Sequence, residues 1–464
     1  MLIKESKMNK ADLFTAFQAQ LNLILAPQIN RDHNFHIALS GGLDSVVLLH
    51  LFSRLRVFDK KYFLCAHHIN HGLSDNAAYW QLFCENLCVS LGIDFCCSTV
   101  ILEKKNRISL EALAREKRYA CLTGNLSDNS YLITAHHQDD QLETVLLALK
   151  RGSGSTGLQG IQKKQKLHKG YLIRPLLNFS RQQLEGYAQL FQLEWIEDES
   201  NQDQAFDRNF IRHAITPLLK KRWPGIGKAV ARSANICQEQ QQLLDEIASA
   251  DFNLLVELSL NQQVLPIADL AALSIGRRNN LLRFWFKKNQ LDYPSAKQLQ
   301  ALWADVALAT IDAQPLLQFK GHSVRRYRSD LYLVNDSKLA TRIAEKICWQ
   351  GQDKIVLLEG LVELSFNVEK DNKAAENLLN LGDNAKVEIC FRSQLPANVT
   401  CQPLGRRCSR SIKKLLHEYH IAPWLRDLVP FILLDGELKM AVGLWSCQSE
   451  KTASKPRYLS VSFV

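Results

Sequence analysis

A glycine-rich turn near the start of the chain has the residue types of an anion-binding loop. It follows the strand-like segment 35–39 and consists, in order, of Ser40, Gly41, Gly42, Leu43, Asp44 and Ser45. A strand that passes through such a turn into a helix offers free backbone N–H groups and a helix dipole to a phosphate group. A Walker-type loop would add a lysine that reaches the β- and γ-phosphates, and this loop has none. We therefore expect it to hold a leaving pyrophosphate while chemistry occurs at an α-phosphate.

Three carboxylates follow another strand-like segment. Asp139 and Asp140 precede Glu143 by four and three residues, a spacing that puts all three on one helix face. Such a cluster can bind Mg²⁺ or accept the proton of an attacking ammonium group. A charge run is most often a solvated helix face, but the position beside His136 and His137 at a strand end favours a functional role.

Two arginine pairs also share helix faces. Arg115 and Arg118 are three residues apart, and Arg208 and Arg212 are four apart. Guanidinium groups match phosphate oxygens bidentately and stay charged, so either pair can stabilise an α-phosphate or hold an RNA backbone. A surface salt bridge is the ordinary alternative for each pair.

The elements that must position these residues alternate between strand and helix over the first 220 positions. Strand-like segments at 35–39, 62–69, 95–102 and 131–137 are separated by segments with helical spacing of apolar residues. This alternation predicts an α/β domain with a doubly wound, Rossmann-like parallel sheet. The anion-binding loop would lie at the carboxyl edge of that sheet.

After residue 224 the sequence no longer alternates between strand-like and helix-like segments. We predict a long helix over 226–250, a strand pair over 316–334 and, near the end, a hairpin turning at Asp435-Gly436. The inward positions expected for the long helix are Ile226, Val230, Ser233, Cys237, Leu244 and Ile247. The predicted domains are a catalytic α/β domain at 1–224, a helical linker and middle domain at 225–340, a connection at 341–385 and a small α+β domain at 386–464.

Composition indicates a soluble globular protein of several domains. The 464 residues are 46% hydrophobic, and no window approaches the roughly 18 apolar residues that span a bilayer. The 12 cysteines are scattered without a C-x-x-C pair, which disfavours zinc and iron–sulfur sites and fits small hydrophobic roles. We expect a cytoplasmic protein without a membrane partner. The formal net charge of +10 favours a polyanionic partner.

Several stretches of the sequence resemble the tRNA(Ile)-lysidine synthetases of the PP-loop family of ATP pyrophosphatases. Besides the loop, they are 68–77, 109–122, 134–158, 174–177 and 197–219, while 405–430 resembles the C-terminal domain of the family's long form. Residues 226–385 match only loosely. The resemblance implies an enzyme that uses ATP and Mg²⁺ to adenylate the C2 oxygen of the wobble cytidine in a tRNA(Ile) with a CAU anticodon. Free L-lysine would then attack C2 through its ε-amine, expelling AMP and leaving lysidine.

Site roles follow from the motifs and this resemblance together. We expect ATP to contact the loop residues 40–45 and His136, and Mg²⁺ to bind Asp140 and Glu143. The predicted catalytic residues are Asp44, Arg115, Asp139, Asp140, Glu143 and Arg212. A basic run is expected to bind tRNA phosphates, with Tyr419 and Trp424 either beside it or in the core; it comprises Arg406, Arg407, Arg410, Lys413, Lys414 and Arg426. The resemblance is compatible with a homodimer.

Three alternatives are kept. A tRNA thiolase of the same superfamily would adenylate a base and then deliver sulfur, but generally needs paired cysteines or a cluster. A glutamine-dependent nucleotide synthetase is disfavoured because no glutaminase segment is visible. A non-catalytic tRNA-binding protein with structural ATP would have no need of Asp44, Asp139, Asp140 and Glu143.

Overall fold

The structure is a computed structural model, and it falls into two compact units, Met1–Leu243 and Leu244–Val464. The residues that it describes are 10–26, 33–58, 62–70, 72, 76–100, 110–124, 126–127, 130–167, 169–197, 199–259, 262–310, 313, 315–339, 345–360, 362–369, 378–381, 385–447 and 457–463. Each unit is described by itself below.

A mostly parallel sheet forms the centre of the first unit. Its strands are β1 (His33–Ala38), β2 (Tyr62–Asn70), β3 (Asp94–Thr99), β4 (Ser130–Ile133), β5 (Lys164–Lys166) and β6 (Tyr171–Ile173). They lie in the order β3-β2-β1-β4-β6-β5, and β5 alone of these strands runs antiparallel to its neighbour. The sheet order changes direction between β1 and β4, and such a switch opens a crevice at the carboxyl ends of the strands. The predicted α/β fold is confirmed.

Helices cover the sheet of the first unit. They are α1 (Lys10–Leu25), α2 (Leu43–Phe58), α3 (Ala77–Leu91), α4 (Leu110–Gly124), α5 (Gln138–Lys150), α6 (Ser155–Leu158), α7 (Arg181–Leu190), α8 (Asp207–Phe210) and α9 (Thr216–Arg222), with a π-helical turn, Ile211–Ile215, between the last two. Apolar spacing explains their packing: Phe17 and Leu21, four residues apart on α1, are fully buried, as are Val47 and Leu51 on α2. Cys84 and Cys88 of α3 are buried in the same core, as expected of cysteines in hydrophobic roles.

The long helix α10 spans Ile226–Leu255, five residues beyond its predicted end. Within the predicted range its buried residues include Ala234, Gln241 and Ala248, and beyond that range Asp251 and Phe252 are buried. Leu244 and Ile247, which we expected to face inward, are 36% and 38% exposed. The predicted inward face was therefore wrong, because over 226–250 the helix buries small and polar residues, and its fully buried aromatic residue, Phe252, lies beyond the predicted end.

The second unit begins with helices packed on an antiparallel sheet. The helices are α11 (Ile267–Ala272), α12 (Ile275–Lys288) and α13 (Ala296–Ala301), and the strands are β7 (Glu257–Ser259), β8 (Gln262–Pro266), β9 (Leu316–Phe319), β10 (His322–Tyr327) and β11 (Asp330–Asn335). The strand order is β7-β8-β11-β10-β9. The predicted strand pair over 316–334 is thus a three-strand meander, because Gly321 (φ 71°) makes a second tight turn that the sequence pattern did not separate.

Further strands and two short helices complete the second unit. They are α14 (Asp336–Leu339), β12 (Ile347–Cys348), β13 (Lys354–Leu357), β14 (Val362–Glu369), β15 (Leu378–Leu381), β16 (Val387–Cys390), β17 (Thr400–Cys401), β18 (Arg410–Ser411), α15 (Ile412–Glu418), β19 (Phe431–Leu434), β20 (Glu437–Ala441), β21 (Trp445–Ser446) and β22 (Arg457–Phe463). The hairpin at Asp435-Gly436 is confirmed, and both residues have the positive φ of a type I′ turn (53° and 83°).

Residues 341–385 do not form the predicted connection. Their described part includes β14, which pairs with β22 at the end of the chain, and β12, which pairs with β16. Within the segment β13 pairs with β14, but the other partners, β16 and β22, come from distant sequence, so local patterning could not reveal the sheets. A disulfide between Cys401 and Cys447, 46 residues apart, also went unpredicted.

None of the helices in the described ranges is both long and apolar enough to cross a membrane.

Candidate active site

The loop between β1 and α2 is held in shape by its own hydroxyl groups. Ser45 Oγ donates to the carbonyl oxygen of Gly42 at 2.9 Å and accepts from the backbone N–H of Ser40 at 3.2 Å. Gly41 has φ of 86°, a left-handed conformation that favours glycine. A Cβ on Gly41 would lie 3.0 Å from Ile196 Cδ1, whereas a Cβ on Gly42 would meet only ordinary contacts at 3.6 Å or more. Gly41 therefore permits the left-handed backbone conformation of the loop, and at Gly42 the loop backbone is not covered by a side chain.

The first turn of α5 faces this loop from the neighbouring strand β4. His137 caps the helix. Its ring Nδ1 accepts from the backbone N–H of Asp139 at 3.2 Å, and its backbone N–H donates to Asp140 Oδ2 at 2.9 Å. His137 Nε2 lies 3.5 Å from both Asp140 Oδ2 and Asp44 Oδ2. The capping histidine thus stands between the carboxylate of the loop and the carboxylates of α5.

Two arginines close over the acidic face of α5. Arg212 Nε donates to Glu143 Oε1 at 2.7 Å, and Arg208 Nε donates to Glu143 Oε2 at 2.8 Å. Both guanidinium groups also reach Asp140 Oδ1, from 2.8 Å for Arg208 and 3.2 Å for Arg212. The Glu143 side chain is only 1% exposed. These charge-assisted contacts fix two guanidinium groups at one wall of the site.

Two further cations reach the remaining carboxylates. Lys220 Nζ donates to Asp139 Oδ2 at 2.5 Å, and Arg181 Nη1 donates to Asp44 Oδ2 at 3.1 Å. Asp44 Oδ1 is buried and has no hydrogen-bond partner among the residues that the structure describes. One carboxylate oxygen of the loop is therefore left without a partner in the described part of the chain.

Apart from Gly41 and Arg208, these groups border one cavity of about 860 Å³ at the carboxyl ends of β1, β2 and β4. Opposite the acidic face, its lining includes His67, His68 and Trp80, and near the loop it includes Trp195 and Glu197. The volume lies within the range of sites that bind a nucleotide-sized ligand.

Burial and charge set the protonation of two groups in the cavity. Burial lowers the pKa of His136 to about 3, and nearby arginines act in the same direction. Asp140 acts to raise that pKa but does not compensate, so the ring is neutral. Burial would raise the pKa of Asp140, but His137 and Arg208 outweigh it and hold that pKa well below its usual range. Asp140 is therefore a weak proton acceptor.

Most of the predicted site residues meet at this cavity. Those that line it are Ser40, Gly42, Leu43, Asp44, Ser45, His136, Asp139, Asp140, Glu143 and Arg212. Gly41 and Arg115 are not among the lining residues. The Arg115 guanidinium lies 5.3 Å from the ring centroid of Tyr119, while Arg118 lines the cavity. Because the oxygens of Asp140 and Glu143 accept from arginines, the structure gives no support to the metal role predicted for them. Among the described residues, no group of three or more His, Cys, Asp or Glu is arranged to hold a metal ion.

Sequence reasoning missed several lining residues. His67 and His68 lie near the end of β2, adjacent to β1, and their position at a strand end was a usable signal. Arg181 and Lys220 come from α7 and α9, which no motif ties to the loop. His137 was noted only as a neighbour of the carboxylates, although its spacing before Asp140 is that of a helix cap.

Comparison with known proteins matches this architecture along the chain. A PP-loop domain model matches residues 13–219, a TilS substrate-binding domain model matches 265–332, and a TilS substrate C-terminal domain model matches 387–461. Among solved structures, a U34-tRNA thiolase from Methanococcus maripaludis with its 4Fe–4S cluster is 16% identical, with a TM-score of 0.41 over 50% of this chain and 80% of its own.

Curated relatives match over nearly the full length. The tRNA(Ile)-lysidine synthase of Serratia proteamaculans is 41% identical over 435 residues, which cover 93% of this chain and 96% of the relative. That of Coxiella burnetii is 37% identical over 420 residues, covering 90% and 91%. Since identity at this level extends through both units, the chain belongs to the tRNA(Ile)-lysidine synthase family, with a PP-loop domain at its N-terminal end.

Proposed function

We propose that the cavity of the first unit ligates free L-lysine to C2 of the wobble cytidine in a tRNA(Ile) with a CAU anticodon. As a member of its family the chain is an ATP-using ligase that forms lysidine. The proposed route passes through an adenylated base and releases pyrophosphate and AMP. The observation that carries the assignment is the meeting of the glycine loop, three carboxylates of α5 and the Arg212 guanidinium, fixed by Glu143, at one cavity.

ATP fits the loop side of the cavity. The N-terminus of α2 and the open face of Gly42 suit phosphate oxygens that approach the backbone closely. The Arg212 guanidinium borders the cavity and is held by Glu143, so it remains in place for charge that develops at the α-phosphate, while Arg208 binds the same carboxylate from outside the lining. The chain's contribution there is to orient the phosphates, not to supply a reacting group.

Mg²⁺ fits Asp44 better than the pair that the sequence indicated. Asp44 Oδ1 is buried without a partner among the described residues, which suits an oxygen ligand of a hard cation. When bound, Mg²⁺ would neutralise phosphate charge. Asp140 and Glu143 instead hold Arg208 and Arg212.

The attacking amine needs a carboxylate that is free to exchange partners. The ε-ammonium of lysine, with an ordinary pKa of about 10.4, must lose a proton before it attacks. Asp140 is a weak acceptor because its pKa is held low, and Glu143 is occupied by two guanidinium groups. We therefore assign Asp139 as the residue that receives the amine, since within the described ranges its carboxylate accepts from the Lys220 ammonium alone.

The second unit would bind tRNA through part of the basic run. Arg407, Lys413 and Lys414 are exposed, whereas Arg406 and Arg410 pair with Glu418. Arg426 Nε donates to the carbonyl oxygen of Ile421 at 3.0 Å. The two nearby aromatics belong to the core: Tyr419 packs on Trp445, and Trp424 packs on Tyr332. The proposed contact surface is thus narrower than the run itself.

Charge reversal at Lys413 or Lys414 should weaken tRNA binding without slowing the chemistry. Both side chains are exposed on α15, and phosphate contacts give salt-dependent affinity without reading the sequence. We expect Lys413→Glu to raise KM for tRNA and to reduce the slope of log KM against log salt by about one, while kcat at saturating tRNA changes little. Lys320→Glu, which alters another exposed lysine of the same unit, is the control. A large fall in kcat with KM unchanged would contradict this division of labour.

Incorporation of labelled lysine tests the proposed function directly. The protein is incubated with ATP, labelled L-lysine and a panel of tRNA transcripts, and we expect label only in the isoleucine transcript with the CAU anticodon. Pyrophosphate release beyond one equivalent per protein should require both that transcript and lysine, because lysine must discharge the adenylated base before the next turnover. Release without lysine, followed by sulfur incorporation, would indicate a thiolase, and tRNA binding without any release would indicate a non-catalytic protein. A homodimer remains a prediction that sedimentation of the full chain would test.

A further inference from the structure

Of the three carboxylates on α5, Asp139 has a distinctive partner. Asp140 and Glu143 are held by the guanidinium forks of Arg208 and Arg212, whereas Asp139 accepts from the primary ammonium of Lys220. An arginine fork is planar and pre-organised, while a lysine ammonium sits on a flexible four-carbon stem. The contact with Asp139 is therefore the one of these pairings that exchanges most readily.

The partner of Asp139 has the same chemistry as the amine to be ligated. The side chain of a free lysine ends in the same ammonium group on the same stem as Lys220. The Asp139 side chain is 11% exposed and borders the cavity, and Lys220 retains 38% of its exposure, so it has room to move into solvent. One carboxylate balances one ammonium charge, and two cations held on it would repel each other.

We propose that Lys220 is a placeholder that occupies the amine-binding carboxylate of Asp139 until substrate lysine displaces it. This inference rests on the proposed function and adds a residue that tunes the affinity for the amino acid. The protein's own ammonium lowers the apparent affinity for lysine, because lysine binds only the fraction of molecules in which Asp139 is free. It also keeps a buried carboxylate paired when no amino acid is bound. Lys220 is a positioning residue, since it leaves when the substrate arrives.

Two substitutions at Lys220 should move the affinity for lysine in opposite directions. Lys220→Met removes the competing charge while keeping an unbranched side chain, and we expect KM for lysine to fall about two- to fivefold, the range of a partly exposed ion pair. Lys220→Arg offers Asp139 a fork that pairs more strongly, and KM for lysine should rise. Lys221→Met, on the exposed side of the same helix, is the matched control and should leave KM unchanged.

The measurements separate this inference from the function on which it rests. Lysine incorporation by the unchanged protein tests the function; the ratio of KM values and direct binding of labelled lysine to the free protein test the inference. KM for lysine that rises in Lys220→Met would show that Lys220 helps to bind substrate and would overturn the proposal. A rise in KM for ATP with KM for lysine unchanged would show that Lys220 contacts a phosphate of ATP, and this result would also overturn the proposal. Thermal unfolding of each variant confirms the fold, and Lys220→Gln provides a second neutral side chain if Lys220→Met unfolds.

Discussion

Replacement of Glu143 by glutamine should lower kcat about 100-fold or more, a scale typical of groups positioned in a reaction site. Glu143 is buried and accepts from both Arg208 and Arg212. In the amide, one acceptor oxygen becomes an NH₂ group that faces N–H donors, so at least one guanidinium must turn away. The Arg212 guanidinium would then no longer be fixed at the cavity wall toward the proposed position of the α-phosphate. KM for tRNA should change little, because the Glu143 carboxylate is buried and does not contact an RNA phosphate.

The effect on kcat must be distinguished from loss of the fold. Breaking a buried ion pair from one side typically costs about 3–5 kcal/mol of unfolding free energy, so thermal unfolding is measured beside the initial rate of lysine incorporation. Asp207→Asn is the matched control: its ion pair with Lys150, at 2.5 Å, also connects α8 to α5, but both side chains are more than half exposed. That variant should keep nearly full activity. Full activity in Glu143→Gln would return the acidic face of α5 to a structural role.

The fold of the first unit was accessible from sequence because its signals are local. A strand, a glycine turn and an apolar helix follow one another at 33–58, and the alternation of such segments is enough to indicate a parallel sheet. The topology then brings the ends of β1 and β4 together, and with them Asp44 and Asp140. These residues could be predicted as members of one site before their contacts were known.

The partners of those carboxylates could not be predicted in the same way. Arg208 is 65 residues from Glu143, and Lys220 is 81 residues from Asp139. Sequence spacing shows that Arg208 and Arg212 share a helix face, but not which face of which helix they meet. The metal role expected for Asp140 and Glu143 has no support from the structure because both carboxylates accept from Arg208 and Arg212. The sequence pattern shows the carboxylates together but not these arginine partners.

Long-range pairing limited the prediction of the second unit as well. The strand β14 has an alternating sequence and pairs with its neighbour β13, yet its other partner, β22, lies near residue 460. The basic run near Lys413 shows the same limit, because Glu418 neutralises part of it only in the folded unit. A run of charge in sequence therefore overstates the surface that is available to an RNA.

Substitution of alanine at the two loop glycines should have different consequences. A Cβ on Gly42 would meet Ser40 Oγ at 3.6 Å and the carbonyl oxygen of Ile196 at 3.8 Å, both ordinary contacts, so the fold should tolerate it. The same methyl group projects where phosphate must approach the backbone. We expect Gly42→Ala to abolish tRNA-dependent pyrophosphate release and to weaken ATP binding severely, while the unfolding temperature stays close to that of the unchanged protein.

Gly41→Ala should instead act on the fold. Its φ of 86° is unfavourable for alanine, and the new Cβ would lie 3.0 Å from Ile196 Cδ1 and 3.2 Å from Cys84 Sγ. Such strain typically costs about 1–3 kcal/mol of unfolding free energy. Gly186→Ala is the control, since a Cβ added to this exposed glycine of α7 would meet no atom within 4 Å and alanine favours a helix by about 1 kcal/mol. Thermal unfolding and equilibrium ATP binding, measured on all three variants, separate the two effects. Normal ATP affinity and normal pyrophosphate release in Gly42→Ala would remove the loop from the phosphate site, and with it the proposed position of ATP in the cavity.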